Sequence, residues 1–232
     1  MFVKKLIVAA LLTLSMGAQA GVVVGGSTLI NSAGQTQLEA WLGQGELTLT
    51  NIFTKSNGKS GYDFHAAADG KGATFSLMSA SEDGGTTWKT IGGYKPVSWT
   101  SQYDYHYASP LEWSAFVFNL SDGVKKNEIN QYQTYNGAYY GPTFGGGHDI
   151  FVDGNLGYGY SYGWSYGAAT GQSLVDGSYY DGLDMLIRDL EVFTIGAYVA
   201  PEAVPEPATF MLFGLGLFGL AAARRKKAAK GL

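Results

Sequence analysis

No cysteine occurs in the 232 residues, which excludes disulfide frameworks, cysteine nucleophiles, thiolate zinc sites and iron-sulfur clusters together. A basic excess is lacking too: 15 Lys and Arg stand against 19 Asp and Glu, a formal net charge of -4. Nucleic-acid binders normally carry the opposite balance, because they displace counterions from phosphates, so no nucleic-acid partner is expected. Histidine is limited to three residues and proline to 6. What is present is 46% hydrophobic residues, 34 glycines and an aromatic set of 12 Phe, 16 Tyr and 5 Trp. That apolar content suits a folded chain rather than a disordered one, even with so much glycine.

The charge is unevenly placed. Residues 21 to 204 hold 8 basic and 18 acidic side chains, whereas the chain from Pro205 onward holds 5 basic and 1 acidic. The central region is therefore far more acidic than the whole, which argues against anionic membrane or nucleic acid as its partner.

Both ends read as processing segments. At the N-terminus, Lys4 and Lys5 precede the apolar stretch Leu6 to Met16, and Ala18-Gln19-Ala20 supplies small residues at a cleavage position. This is the pattern of a signal peptide over residues 1–20, read by signal peptidase with Ala18 and Ala20 marking the cleavage site. Export follows, so the lack of cysteine belongs to an oxidising compartment.

At the other end, Pro205-Glu206-Pro207 is followed by an apolar run from Ala208 to Ala223 and then by Arg224, Arg225, Lys226 and Lys227. As a helix the run would span about 24 Å, somewhat short of a hydrocarbon core of about 30 Å. Flanking residues and snorkelling of the basic cluster cover the difference. A transmembrane helix over 208–223 is expected, with Arg224 to Lys227 held as a basic stop in the cytoplasm and the preceding domain outside. Pro-Glu-Pro, hydrophobic helix and basic stop, in that order over 205–227, resemble the PEP-CTERM sorting signal of Gram-negative bacteria. The resemblance implies an exosortase partner in the inner membrane, a transient anchor there, and release toward the cell surface or extracellular polysaccharide.

What remains fits one domain, with 197–204 expected as a linker. Turn signals recur at Asn57-Gly58, Asp69-Gly70, Asp83-Gly84-Gly85, Asp122-Gly123, Asp153-Gly154 and Asp176-Gly177, dipeptides that accept positive φ. Between them lie strand-like runs at 47–53, 73–78, 88–94, 115–120, 150–152 and 190–195. The pattern predicts a mainly β domain, an antiparallel sandwich or barrel. Leu38, Trp41 and Leu42, behind a cap at Ser32 or Thr36, predict one short helix. Further short helices are expected over Tyr62 to Ala68 and Gly182 to Ile187.

Six blocks then appear in the order of a known family. They are Gly61-Tyr62-Asp63-Phe64-His65; Asp69-Gly70-Lys71-Gly72-Ala73-Thr74-Phe75; Ile91-Gly92-Gly93-Tyr94 with Trp99; Ala115-Phe116-Val117-Phe118-Asn119-Leu120; Gly141-Pro142-Thr143-Phe144-Gly145-Gly146-Gly147-His148-Asp149-Ile150; and Leu190-Glu191-Val192-Phe193. Together they resemble the TLDc domain of oxidation-resistance proteins, over roughly residues 36–196. Ala73 stands where the family often has Pro, and Ile91 where it often has Phe. The resemblance implies a β-sandwich of two antiparallel sheets with small peripheral helices over 21–196, and a role in protection from oxidative damage. It implies no agreed catalytic residues, and the proton-pumping ATPase bound by eukaryotic members faces the cytosol, out of reach of an exported protein.

The candidate sites divide by chemistry. His65, His148 and Asp149 are of the types that ligate zinc, manganese or iron, yet their spacing matches no standard motif. The stronger expectation is that His65 packs with aromatic neighbours while His148 orders a turn. Asp149, Asp153 and Asn155 lack the EF-hand pattern for calcium. Gly141 to Gly147 lacks the Gly-Lys-Ser/Thr ending of a phosphate loop, and no serine sits in Gly-x-Ser-x-Gly. Glu82-Asp83, or Asp181 with Asp184, would serve glycoside hydrolysis only if folded into one cleft. No cofactor is expected. Tyr158, Tyr160, Tyr162, Trp164 and Tyr166 alternate with small residues, so on a strand all five share a face; exposed, they can stack on sugar rings, although packing against the core is the stronger expectation. The function expected is a non-enzymatic module, directed to the surface, that meets the envelope or extracellular matrix and can also protect under oxidative stress. The alternative is a matrix-polymer hydrolase or metal-assisted enzyme.

Overall fold

A computed structural model describes residues 21–179 and 185–198. The signal segment, the sorting motif 205–207, the apolar run 208–223 and the basic stop 224–227 lie outside the described residues, as do most of the linker and Gly182 to Asp184. Among the described residues no helix is long and apolar enough to cross a membrane.

The chain forms β1 (Val22–Val24), α1 (Ser32–Leu42), β2 (Leu47–Thr54), α2 (Gly61–Ala68), β3 (Thr74–Ser81), β4 (Lys89–Lys95), β5 (Tyr105–Tyr107), β6 (Phe116–Asn119), β7 (Val124–Asn127), β8 (Tyr132–Tyr135), β9 (Thr143–Phe144), β10 (Phe151–Val152), β11 (Tyr158–Tyr160) and β12 (Met185–Ala197). One sheet runs β1-β2-β12-β3-β4-β6-β7, with β11 also paired to β12 and β10 to β11; a three-stranded sheet runs β5-β8-β9. The mainly β class with two sheets and short helices is thus present. The pairing is not antiparallel throughout, because β1 lies parallel to β2. The α1 segment between them carries the chain back to the same end, as a parallel pair requires.

Strand β3 is buried along its whole length, so both faces of the large sheet carry a core. Phe75 and Leu77 enter a cluster with Leu38 of α1, Leu47, Leu49 and Phe193. Met78 and Ala80 enter the opposite cluster with Phe64 of α2, Trp99, Phe144 and Val192. Alternation cannot deliver both clusters along β2 without a break, since Leu47 and Leu49 face one and Phe53 the other. An irregularity opposite Val192/Phe193, where Phe193 pairs with Asn51 and Val192 with Phe53, inserts the extra residue that switches the face. A second one at Ile187/Asp189 lets Ile187 and Leu190 face the same cluster.

Asn31, not Ser32 or Thr36, caps α1: its Oδ1 accepts the Gly34 N–H at 2.8 Å. Asp63 closes the start of α2 by accepting from the Ser60 N–H and hydroxyl at 2.8 and 2.9 Å; these bonds hold its carboxyl below its ordinary value. The third expected helix is corrected where it is described: Met185 to Ile187 begin β12. Ala197, assigned to the linker, ends that strand. Of the turn signals, glycines 58, 70, 84, 85, 123 and 177 have positive φ. At Asp153-Gly154 it is Leu156 that turns left-handed instead, at φ 58°.

The small sheet lies over the second cluster. Phe144 of β9 sits so close to Gly93 of β4 that a Cβ there would fall 2.6 Å from its ring. Trp99 meets Phe144 edge-on at 5.5 Å and donates its Nε1 hydrogen to Thr74 Oγ1 at 2.9 Å, which satisfies the indole N–H of a fully buried ring.

Candidate functional site

Asp149 organises the segment that carries the aromatic row. Its carboxylate is buried and accepts three backbone N–H groups, from Trp164 at 2.9 Å, Ser165 at 2.8 Å and Tyr166 at 3.0 Å. Burial pushes its pKa up to about 6, against the pull of those three donors. Gly145 makes room: it has φ 84°, and a Cβ there would stand 2.0 Å from Asp149 Oδ2. Ser161 binds the same turn, donating to the Asp149 carbonyl at 2.8 Å and accepting the Leu174 N–H at 2.8 Å.

The row itself is not one strand, since β11 ends at Tyr160. Alternation nevertheless continues: Gly159, Ser161, Gly163 and Ser165 are buried, while Tyr158 and Trp164 are exposed and Tyr160 and Tyr162 half-buried. Small residues thus pack inward and the large rings are pushed out, the reverse of the core packing expected. Tyr166 departs from the row. The chain bends at residues 164–165 around the Asp149 carboxylate, and Tyr166 turns inside, fully buried, with its hydroxyl donating to the Gln133 carbonyl at 2.6 Å. It cannot stack on an external ligand.

Tyr160 leads into a larger surface. Its hydroxyl lies 2.7 Å from His148 Nδ1, and its ring stacks on Phe151 at 4.9 Å. His148 also stacks on Phe151, at 5.4 Å and 14°, and its Nε2 is 3.4 Å from the Tyr105 hydroxyl. From Tyr105 the contacts pass to Tyr107, Tyr132 and Tyr135 at 5.0 to 6.1 Å. From Tyr135 they pass to Tyr140, then to Tyr139 at 4.3 Å and Tyr103 at 5.6 Å. Every one of these rings is half-buried or exposed. The strands place them: Tyr105 is registered opposite Tyr135 and Tyr107 opposite Tyr132, and Phe151 opposite Tyr160, the cross-strand arrangement in which aromatic pairs reinforce a sheet.

The platform carries no Lys or Arg, and the charge beside it is the Asp104 carboxylate near Tyr107. Burial lowers the His148 pKa, and it raises those of Tyr105 and Tyr107. The hydrogen bond between the Tyr139 and Tyr140 hydroxyls, 3.0 Å apart, is the first cause that pushes Tyr140 up to about 12. The hydroxyls therefore remain donors and acceptors beside exposed ring faces. His148 holds φ 59°, a left-handed conformation uncommon outside glycine, so the turn from Gly145 holds the ring in the centre of the platform.

The other candidates serve structure. His65 packs with aromatic neighbours as expected, 4.7 Å from Phe64 and 6.5 Å from Trp99, with its Nδ1 2.7 Å from Asp69 Oδ1. His65, His148 and Asp149 each have their own partners, and among the described residues no group of three His, Cys, Asp or Glu is placed to hold a metal. Asp153 accepts the Gly157 N–H at 3.1 Å inside its hairpin. Asp83 accepts from Ser81, Thr86 and Thr87, and these bonds lower its pKa to about 2. Asp181 and Asp184 lie outside the described residues. Tyr103, Tyr105, Tyr107, Tyr132, Tyr135, Tyr139, Tyr140 and Phe151 were not singled out by sequence; the signal was there in Tyr103-x-Tyr105-x-Tyr107, with the spacing of the 158–166 row.

Comparison with known proteins agrees with the order of the blocks. A family model described as the TLDc domain matches residues 23–196, and one described as the PEP-CTERM protein-sorting motif matches residues 203–226. No curated protein matches the chain.

Proposed function

The chain belongs to the TLDc domain family and carries a PEP-CTERM sorting motif, and from that premise we propose that it is a surface-displayed binding module whose tyrosine platform engages extracellular polysaccharide. Its motif supports export and cell-surface sorting by an exosortase-type enzyme in a Gram-negative-type cell. In this reading signal peptidase removes residues 1–20, the apolar run 208–223 holds the protein transiently in the inner membrane, and processing releases the domain outward.

The observation that carries the reading is a connected series of half-buried and exposed rings, most of them tyrosines, on a domain whose sorting motif supports display at the cell exterior. Monomeric proteins seldom expose large contiguous apolar faces without a partner. Tyrosine provides both an apolar ring and a polar tip, which suits a sugar: C–H groups lie on the ring while hydroxyls bond its edge. The platform offers no positive charge with which to hold a nucleic acid or a phosphorylated surface, and Asp104 beside Tyr107 repels both. No bond cleavage is assigned, and the platform binds rather than reacts.

Retention on immobilised surface polysaccharide from a cell with an exosortase system tests this. Wild-type protein is expected to be retained and Tyr135→Ala/Tyr140→Ala to wash through. Equal retention of both would refute the platform's role.

A further inference from the structure

Glu39 of α1 is a buried carboxylate, 6% exposed. Among the described residues it forms no ion pair with Lys, Arg or His. Its Oε1 gathers three donors: the Leu47 N–H at 3.0 Å, the Gln35 Nε2 at 3.0 Å and the backbone nitrogen of Gly21 at 2.9 Å. None of the three carries a charge while the chain is unprocessed. A carboxylate withdrawn from water is costly to bury without a cation beside it.

Gly21 is fitted to this place. A Cβ there would collide with the Leu47 carbonyl oxygen and stand 2.6 Å from Glu39 Oε1, so only glycine brings the backbone nitrogen this near. The next residue opens β1, with Val22 registered opposite Thr48 of β2. That strand is the edge of the large sheet, and its Val22 and Val24 are exposed, so apolar burial does little to hold it. Its two ends are held by carboxylates instead. Beyond the far end, Glu191 accepts the Thr28 N–H at 2.8 Å and the Thr28 hydroxyl at 2.9 Å; at the near end, Glu39 receives Gly21.

Gly21 is also the residue that follows Ala18-Gln19-Ala20, the small-residue cleavage position. Hydrolysis there breaks the Ala20–Gly21 amide: the Ala20 carbonyl carbon takes the hydroxyl of water, and the Gly21 nitrogen takes its hydrogen and becomes a primary amine. An α-amine has a pKa of about 8, so at neutral pH it binds a further proton. The nitrogen beside Glu39 Oε1 is then the cation that the carboxylate lacks.

We infer that removal of residues 1–20 turns the Gly21 nitrogen from a neutral amide donor into an α-ammonium whose ion pair with Glu39 pins β1 to the large sheet, so that the domain reaches full stability only once processed. The inference rests on the removal of residues 1–20 included in the proposed function, and not on the polysaccharide reading.

The test compares three forms of the processed full chain, residues 21–232, in one detergent. The first is released from a cleavable fusion with Gly21 leading, the second retains Ala20, and the third is Nα-acetylated on Gly21, which restores the amide of the unprocessed chain. Each is also made as Glu39→Gln. The first form is expected to melt at least about 3 °C above the other two, and Glu39→Gln should remove that gap. No gap, or a gap that persists in Glu39→Gln, would overturn the ion pair. Where Glu39→Gln does not fold, the rate of α-amine acylation decides. The Gly21 amine should react at least about tenfold more slowly than the Ala20 amine, because pairing keeps it protonated; equal rates would overturn the inference. N-terminal sequencing of the chain recovered from an exporting cell separates the two failures. A first residue other than Gly21 overturns the removal of residues 1–20 and this inference with it, whereas Gly21 leading without a stability gap overturns the inference alone.

Discussion

Two aromatic populations share this domain and are treated in opposite ways. Around the large sheet, Phe64, Phe75, Phe118, Phe144, Phe193 and Trp99 are fully buried. On the small sheet and the β10–β11 hairpin, the rings are mostly tyrosines and stay at the surface. Phenylalanine in the core completes packing that β-sheet alternation has already set up. Tyrosine at the surface leaves a hydroxyl in water, where it keeps both hydrogen-bonding roles. One population holds the fold together, and the other is the one to which the proposed function assigns a ligand.

The largest effect should come from cutting the first population. Trp99→Ala is expected to cost about 3–5 kcal/mol, measured by denaturant unfolding, and with the fold it should abolish any ligand retention. A small loss would mean that the second core cluster does not support the small sheet.

Next in size is the link between the two populations, Asp149. Replacement by Asn puts an amide N–H₂ against one of three backbone donors and should cost about 2–3 kcal/mol. Titration gives a second signature. Folding raises this carboxyl from 3.8 to about 6, so between those values the folded state binds more protons than the unfolded one. Its contribution to stability is then greatest below about pH 4 and lost as pH rises through about 6. The melting-temperature advantage of wild type over Asp149→Asn should therefore shrink as pH rises from about 4 to about 6; parallel curves would show that the carboxyl does not titrate there.

Lys95 provides the opposite slope. It is fully buried, with its ammonium against Thr134 and 4.8 Å from the Trp99 ring centre. Burial lowers its pKa from 10.5 to about 7, against the charges of Asp69 and Glu128. Above pH 7 the unfolded state holds the extra proton, so stability should rise with pH toward 10. Lys95→Met should flatten that rise in pH-dependent unfolding, and an unchanged slope would assign it to other groups.

The smallest stability effects belong to the surface population. Tyr135→Ala and Tyr140→Ala should each cost about 1 kcal/mol or less, yet remove ligand retention. Circular dichroism would check the fold and retention the function; loss of both together would erase the distinction between the populations.

The long elements were legible because period and length agreed. Strands β2, β3, β4, β6 and β12 overlap the runs read from sequence, and α2 follows the expected helix closely. Of the short strands, β10 falls inside the run at 150–152, but others escaped: β9 has two residues, too few for a period, and β7 is Val-Lys-Lys-Asn, with little apolar pattern. Met185 to Ile187 suit either a helix turn or a strand, and pairing of Met185 with Gly159, Leu186 with Ser81 and Ile187 with Ala80 decided for the strand. In the candidate site, the alternation from Tyr158 to Trp164 was visible, but which side would be buried was not, because that depends on a carboxylate far up the chain. Asp149 is also what turns Tyr166 inward, and no local pattern around Tyr166 announces it. The platform needs strands from three parts of the chain in register, so its rings could be counted in sequence but not assembled.

The most direct measurement is retention of wild type and Tyr135→Ala/Tyr140→Ala on surface polysaccharide from a cell with an exosortase system, at matched thermal stability. Retention of wild type at least about tenfold above the variant, a difference of about 1.4 kcal/mol, is the expected result. Equal retention, or none by either protein, would contradict a binding role for the tyrosine platform.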